Sequence, residues 1–170
     1  MLKTAGILLI LGFCIWTGIY LSARVRNRVR EIEKFIRLFT SIQTQIEYAL
    51  TPTDVLLQKL SESAEFRDFS FIHFVKEEFS AGKPLESAWN GALQKYAATS
   101  ALQSREEEWI SAFSEAFGST DKSGQSANCT FFITQLEAWA EELRKSVQSK
   151  SRLCYALGIL SGIFFTILLL

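Results

Sequence analysis

Two long runs without a charged residue, one at each end of the chain, constrain its fold more than any other feature. The first run is 5–22 (AGILLILGFCIWTGIYLS) and the second is 153–170 (LCYALGILSGIFFTILLL). Each run would form a helix of about 27 Å, close to the roughly 30 Å hydrocarbon core of a bilayer. The sequence therefore predicts two transmembrane helices, 5–22 and 153–170, on either side of a domain formed by residues 24–152.

A cleaved signal peptide is the alternative for the first run. Only Lys3 precedes its apolar core, and bulky Tyr20 and Leu21 stand where a cleavage site needs small residues. We therefore favour a retained membrane span. Neither run contains Lys, Arg, Asp, Glu or His, which argues against a proton relay or an ion pathway within the spans.

Basic residues beside both runs predict the orientation in the membrane. They follow the first run and precede the second, at Arg24, Arg26, Arg28, Arg30, Arg144, Lys145, Lys150 and Arg152. Cationic flanks stay on the cytoplasmic side and attract anionic headgroups, so we expect a cytoplasmic middle domain, both termini on the outer face, and the lipid bilayer as a partner. The 18 basic residues are balanced by 18 acidic ones, which disfavours a nucleic-acid partner.

The middle domain is predicted to be all-α, because no apolar–polar alternation bounded by turn signals indicates strands. One apolar series steps by three or four residues along Val25, Val29, Ile32, Ile36, Phe39, Ile42, Ile46 and Leu50. A second steps along Phe132, Leu136, Trp139, Leu143 and Val147. These series predict long first and last helices that continue into the two spans and lie antiparallel, within an antiparallel bundle of about six helices.

Shorter helices are predicted from local signals. Thr51 is expected to cap the second helix, with Pro52 at its first position and Asp54 reaching back. A phenylalanine-rich third helix begins at Phe66, is the most buried element and ends at Gly82.

The fourth helix begins with Pro84 in its first turn. Ser104 and Glu107 are predicted to form a capping box at the start of the fifth helix, which Gly118 would close. Residues 119–128 (STDKSGQSAN) are predicted to be a loop.

Candidates for catalysis or metal binding are few. The one histidine, His73, lies in the phenylalanine-rich helix, where packing explains it better than catalysis. The three cysteines have no metal-binding or redox spacing, and no glycine-rich phosphate loop is present. We interpret Glu106, Glu107 and Glu108 as acids that suit the first turn of a helix. The residues therefore indicate a non-enzymatic, membrane-anchored interaction module without a cofactor or a metal.

Small residues form stripes within both predicted spans. Cys14, Gly18 and Ser22 repeat every four residues in the first, and the second contains the pair Gly158 and Gly162 in a GxxxG pattern. Such stripes let helix backbones approach closely, so the spans are predicted to pack against each other or against a partner. Small residues that simply face lipid are the alternative.

Several motifs, in order along nearly the whole chain, resemble the stage III sporulation protein AB family of endospore-forming bacteria. They are WTG at Trp16 to Gly18, IEYALTP with Tyr48, Thr51 and Pro52, AW at Ala88 and Trp89, GSTDKSGQ with Gly118, Asp121 and Gln125, and LGILSG at Leu157 to Gly162. The chain departs from the family pattern at Gln45, where a glutamate is usual, and at Thr53, where a leucine is common. A contact that family members make through this glutamate is therefore not predicted for this chain.

The family in turn resembles a single cytoplasmic domain of the F-type platform proteins of type II secretion. The resemblance implies a non-enzymatic assembly-platform subunit of the mother cell–forespore complex, in the mother-cell (outer forespore) membrane. It also implies contacts with a secretion-type ATPase and small membrane subunits, while self-association stays open. A membrane-anchored signalling adaptor outside sporulation is the alternative.

The motif residues give the candidate contact positions that this resemblance implies. For partner proteins they are Tyr48, Thr51, Pro52, Trp89, Gly118, Asp121 and Gln125. For packing within the membrane they are Trp16, Gly18, Gly158 and Gly162. For the turn at Thr51 and Pro52 and the segment 119–128, helix capping remains the alternative to partner contact.

Overall fold

The computed structural model describes residues 2–48, 52–116 and 124–146; within 2–22 it describes side chains only at Trp16 and Tyr20. The described residues form helices and no strand. They are α1 (Leu2–Tyr48), α2 (Thr53–Glu62), α3 (Ser70–Ser80), α4 (Leu85–Ala97), α5 (Ser104–Ala116) and α6 (124–146). The predicted all-α class is confirmed.

The chain divides into two compact units. One unit contains the described residues from Arg30 to Ala140, and the other contains those before and after this range. In the 30–140 unit, α3 packs against α2 and α4, and α4 packs against α5.

Aromatic side chains fill the core of the 30–140 unit. Phe35 is fully buried, and its ring centroid lies 4.9 Å from that of Phe71 and 5.1 Å from that of Phe69. Phe39 stacks on Phe113 with centroids 3.8 Å apart. Aromatic rings bury large areas and favour such edge-to-face or stacked contacts, so α1 is joined to α3 and α5 mainly through its phenylalanines.

The buried face of α1 is rotated from the predicted one. Ile32, Phe39 and Ile42 are buried as expected, but Ile36 is half-exposed and Phe35 takes the core position instead. Phe35 lies on the same side as Phe39, four residues on, where rings from α3, from α4 and from the turns before α3 surround it.

Helices α1 and α6 are antiparallel where they meet in the 30–140 unit. The Nε2 atom of Gln43 donates to Oγ1 of Thr130 at 2.8 Å, whereas Ser126 donates its hydroxyl to the carboxylate of Glu47. A later position on α1 therefore meets an earlier position on α6, as predicted. The predicted loop 119–128 is wrong in its second part, because residues 124–128 are helical; 119–123 lie outside the described residues.

The predicted starts of α2 and α5 are each wrong by one residue. Pro52 occupies the N-cap position of α2, one residue before the predicted place, and neither it nor Asp54 makes a capping side-chain bond. At α5, the carboxylate of Glu106 and not Glu107 accepts a bond from the backbone N–H of Gln103, at 3.1 Å. Since α5 begins at Ser104, the residue in the third helical position is Glu106, and it reaches back as a capping glutamate does.

Helix α3 is shorter at its start than predicted. Phe66 and Phe69 precede it in a series of turns, held by bonds such as Phe69 N–H to Phe66 C=O at 3.0 Å. Both side chains are nonetheless buried. Gly82 follows the helix with φ +86°, which confirms its predicted place at the end of α3.

Replacing Gly82 by alanine should destabilise the protein by roughly 1–2 kcal/mol, because a Cβ strains the left-handed conformation. No atom lies within 4 Å of the added Cβ, so backbone strain is the only expected cost. Gly91, inside α4, is the control: its Cβ would meet Glu78 Cδ at an ordinary 3.9 Å. Gly91→Ala should therefore stabilise by roughly 0.5–1 kcal/mol. Urea unfolding of the two variants would test this difference in sign.

Within the described part of the chain, no helix is at once long enough and apolar enough to cross a membrane. The predicted second span, 153–170, lies outside the described residues. The backbone of 5–22 belongs to α1, but only two of its side chains, Trp16 and Tyr20, are described. Both predicted spans therefore stay predictions.

Candidate partner-binding surface

The structure gives different surroundings to the residues predicted to contact partners. Pro52 is exposed before α2, and Gln125 is half-buried in α6. Tyr48 is the last residue of α1. Thr51, Gly118 and Asp121 lie outside the described residues, as do Gly158 and Gly162 of the predicted membrane-packing set. Of that set, Gly18 lies in α1, and Trp16 is 66% exposed and stacks on Tyr20 with ring centroids 6.1 Å apart.

Trp89 is a core residue, which corrects its predicted place on a partner surface. Its side chain is 1% exposed, and its Nε1–H donates to the carbonyl of Ile110 at 2.8 Å. The indole lies edge-to-face with Phe71, with ring centroids 4.9 Å apart. Trp89 therefore joins α4 to α3 and α5, and a partner cannot reach it in this structure.

A partly buried hydrogen bond links α1 to α4. The hydroxyl of Tyr96 donates to the carboxylate of Glu31, which also receives Nζ of Lys34 at 3.1 Å. Burial raises the pKa of Tyr96, and the bond to Glu31 raises this pKa further. Tyr96 therefore remains a hydrogen-bond donor across the physiological pH range, and this pair positions the two helices.

A double ion pair lies beside the turn between α3 and α4. The carboxylate of Glu78, only 10% exposed, receives the ammonium groups of Lys83 and Lys95. Hydrogen bonds from these two lysines lower the pKa of Glu78 to about 2. These two ion pairs connect Glu78 of α3 to both ends of α4, since Lys83 precedes α4 and Lys95 lies in its last turn.

Stability should depend on this carboxylate at acid pH. The pKa of Glu78 is lowered from 4.5 to about 2 in the folded protein, so its contribution is complete above pH 4.5 and is lost as the pH falls towards 2. Glu78→Gln should therefore lower the melting temperature at pH 7 and reduce its fall between pH 4.5 and 2. Glu137→Gln, on the exposed surface of α6, is the control and should change neither. Identical pH profiles for the wild type and Glu78→Gln would contradict the prediction.

A cation lies on two indole rings at the junction of α5 and α6. The guanidinium carbon of Arg105 is 4.1 Å from the ring centroid of Trp139 and 5.1 Å from that of Trp109. The two indoles are edge-to-face, 6.4 Å apart. Below them, the fully buried carboxylate of Glu106 accepts the Nε1–H of Trp139 at 2.6 Å. We call Arg105, Glu106, Trp109 and Trp139 the indole cluster.

Sequence reasoning missed the indole cluster. Arg105 and Trp109 are four residues apart on α5, and this spacing places two side chains on the same helix face. The local sequence therefore could have indicated that these two residues meet. Trp139 had no local signal, because it comes from α6, more than thirty residues later in the chain. Glu106 had been interpreted with its two neighbours as a first-turn acid, whereas only Glu106 points into the core.

An open groove of about 590 Å³ lies between α4 and α5. Three carboxylates line it, those of Glu107, Glu108 and Glu115, and we call it the acidic groove. Across it, the hydroxyl of Ser111 donates to Oδ1 of Asn90 at 2.7 Å, which connects the two helices. The groove and the indole cluster use neighbouring residues of the first turn of α5, so both are parts of one continuous surface.

The described residues contain no group of three or more side chains suited to a metal ion. Among them, every buried side-chain nitrogen and oxygen has a hydrogen-bond partner. Cys129 is buried, and burial raises the pKa of its thiol to about 11, with the charge of Glu47 as a second cause. The pKa shifts of Glu78, Tyr96 and Cys129 thus arise from packing and helix-joining bonds, which leaves the exposed groups at α5 as the candidate binding surface.

Comparison with known proteins identifies the family. Residues 3–170 match the stage III sporulation protein AB family. A solved structure described as stage III sporulation protein AB is similar in fold, with a TM-score of 0.60 and 21% sequence identity over 72% of this chain and 97% of that one. A comparison with curated proteins found no match. Since the family match covers nearly its whole length, the chain belongs to the stage III sporulation protein AB family.

Proposed function

We propose that this protein is a non-enzymatic platform subunit, anchored in a membrane by helices 5–22 and 153–170, that assembles a secretion-like complex during stage III of sporulation. The match of residues 3–170 to a family named for this stage is the observation that carries the proposal. The match supports a role in sporulation, and the platform activity is our extension of it. By the resemblance to F-type platform proteins, its partners would be a secretion-type ATPase and small membrane subunits.

The helical structure is compatible with such a role. Helix α1 is 47 residues long and contains both the predicted span 5–22 and the part that enters the core of the 30–140 unit. Phe35 and Phe39 fix α1 to α3 and α5, so a partner that moves these shorter helices would move α1 as well.

The location that we propose is the mother-cell membrane around the forespore, with the 24–152 domain in the mother-cell cytoplasm. Arginines at 24, 26, 28 and 30 and the basic residues at 144–152 support this orientation, because cationic flanks stay on the cytoplasmic side. The equal numbers of acidic and basic residues favour protein and lipid partners over nucleic acid.

The test is co-purification from sporulating cells. Full-length protein is solubilised in detergent, captured through an affinity tag, and its partners are identified by mass spectrometry. Recovery of a secretion-type ATPase together with other stage III membrane proteins is the expected result. Recovery of signalling proteins alone, or expression of the protein outside sporulation, would contradict the platform and favour a membrane-anchored adaptor.

A further inference from the structure

The arrangement of the indole cluster goes beyond what packing requires. Glu106 is fully buried, and it accepts bonds from both the backbone N–H of Gln103 and the Nε1–H of Trp139. These bonds fix the orientation of the Trp139 indole. The indole in turn holds the guanidinium of Arg105 on its face, with the guanidinium carbon 4.1 Å from the ring centroid. A buried carboxylate thus positions an exposed cation through an aromatic ring.

Arg105 is held in place but has no ion-pair partner among the described residues. It is exposed, and its contacts there are with the two indoles. A guanidinium carries five N–H donors in its plane, and stacking on a ring leaves the donors at its edge available. Holding the side chain in one conformation before binding removes part of the entropy cost of binding. The cluster is therefore suited to a planar, bidentate acceptor.

We propose that the indole cluster binds a carboxylate of a partner protein, presented among apolar side chains that pack on Trp109 and Trp139. A carboxylate matches the paired donors of Arg105 in a planar, bidentate geometry. Both indoles are half-buried, so each offers part of a ring to an apolar neighbour of that carboxylate. Tryptophan and arginine are the residue types that dominate binding energy in protein interfaces.

The charges around the cluster favour a protein segment over a polyanion. Glu107 lies in the first turn of α5 with Arg105, Glu108 follows it directly, and both line the open acidic groove. An anionic bilayer or a nucleic acid would bring many negative charges against these two carboxylates. A single carboxylate within an apolar segment meets Arg105 with much less repulsion, because it brings one negative charge instead of many. This inference deepens the proposed function, on which it rests for the identity of the partner.

The binding site itself can be tested with two short capped peptides and the full-length protein. One peptide carries a single glutamate flanked by leucines, and its twin carries glutamine in that place. The protein contains four tryptophans, so ¹⁵N-tryptophan labelling gives four indole N–H signals, which single Trp→Phe variants assign. The glutamate peptide, at millimolar concentration, should shift the Trp139 and Trp109 signals, and the glutamine peptide should not.

Arg105→Gln should abolish these shifts, whereas Arg67→Gln should leave them unchanged. Arg67 is the matched control, because it is also exposed and no ring lies beneath its guanidinium in the described part of the protein. Equal shifts with both peptides, binding that survives Arg105→Gln, or no shift at all would overturn the proposal. Shifts caused by vesicles of phosphatidylglycerol but not by the glutamate peptide would also overturn it.

Assembly in cells separates this inference from the proposed function. Arg105→Glu should lower the recovery of stage III partners by about tenfold or more, the loss expected when a charge-assisted bidentate contact is removed. Arg67→Glu, which changes the net charge equally, should leave recovery unchanged. If the wild type recovers these partners and Arg105→Glu recovers them equally well, the inference fails and the platform stands. If the wild type recovers none, the platform fails, and the peptide experiment still decides the binding site.

Discussion

Replacing Trp89 by alanine is expected to lower the free energy of unfolding by about 3–5 kcal/mol, among the largest effects of any single substitution in the 30–140 unit. The indole is 1% exposed and lies among three rings, with centroid distances of 4.9 Å to Phe71, 5.4 Å to Phe113 and 6.2 Å to Phe39. Alanine would leave a cavity where α1, α3, α4 and α5 meet, and it would remove the bond to Ile110. Urea unfolding of the full-length protein, followed by near-ultraviolet circular dichroism, measures the loss.

Two further variants separate the causes. Trp89→Phe keeps a ring in the core but removes the Nε1–H bond, so its cost should be smaller, about 1–2 kcal/mol. Phe131→Ala removes an aromatic side chain that is 57% exposed and should change stability by no more than about 0.5 kcal/mol. If Trp89→Ala were as mild as Phe131→Ala but prevented recovery of partners, the original assignment of Trp89 to a partner surface would be restored.

Glu106→Ala is expected to destabilise the protein by roughly 2–4 kcal/mol, because the change removes a fully buried side chain and two partly buried donors, the N–H of Gln103 and Nε1–H of Trp139, would lose their acceptor. Its neighbour Glu108 supplies the matched control: it has the same side chain in the same helical turn, but it is exposed. Glu108→Ala should therefore change the free energy of unfolding by no more than about 0.5 kcal/mol. Urea unfolding of both variants gives the comparison, and equal losses would contradict the buried role of Glu106.

The Glu106 variant also connects stability with the proposed binding surface. Since Glu106 orients Trp139 and Trp139 supports Arg105, Glu106→Gln should weaken binding of the glutamate peptide even where the protein remains folded. An amide keeps a side-chain oxygen that can accept the indole N–H, but it carries no charge. A positioning role therefore predicts intermediate binding for Glu106→Gln and none for Arg105→Gln.

Several of the motifs that resemble the family now have structural explanations. Ala88 and Trp89 are buried at the centre of the aromatic core, and Pro52 occupies the N-cap position of α2. These motif residues specify the fold, and for Pro52 this agrees with helix capping, the alternative that the sequence left open. Thr51 lies outside the described residues. The surface that we propose for partners instead uses Arg105 and Trp109, which belong to none of the motifs.

The sequence by itself determined the all-α class, the order of the helices and the place where α3 ends, because these depend on periodicity and local backbone chemistry. Gly82 illustrates this, since only its own φ of +86° is needed to end α3. The starts of α2 and α5 each differ by one residue from the predicted ones, because neighbouring positions offer similar capping groups.

Tertiary structure alone decided which side chains lie inside and which distant residues meet. Phe35 replaced Ile36 in the core because rings from α3, from α4 and from the turns before α3 surround it there. Glu106 became buried because the indole N–H of Trp139, from a helix far along the chain, compensates its loss of water. Three consecutive glutamates are equivalent in composition, and only the packing of α6 against α5 distinguishes the buried one. The candidate partner surface arises from that packing.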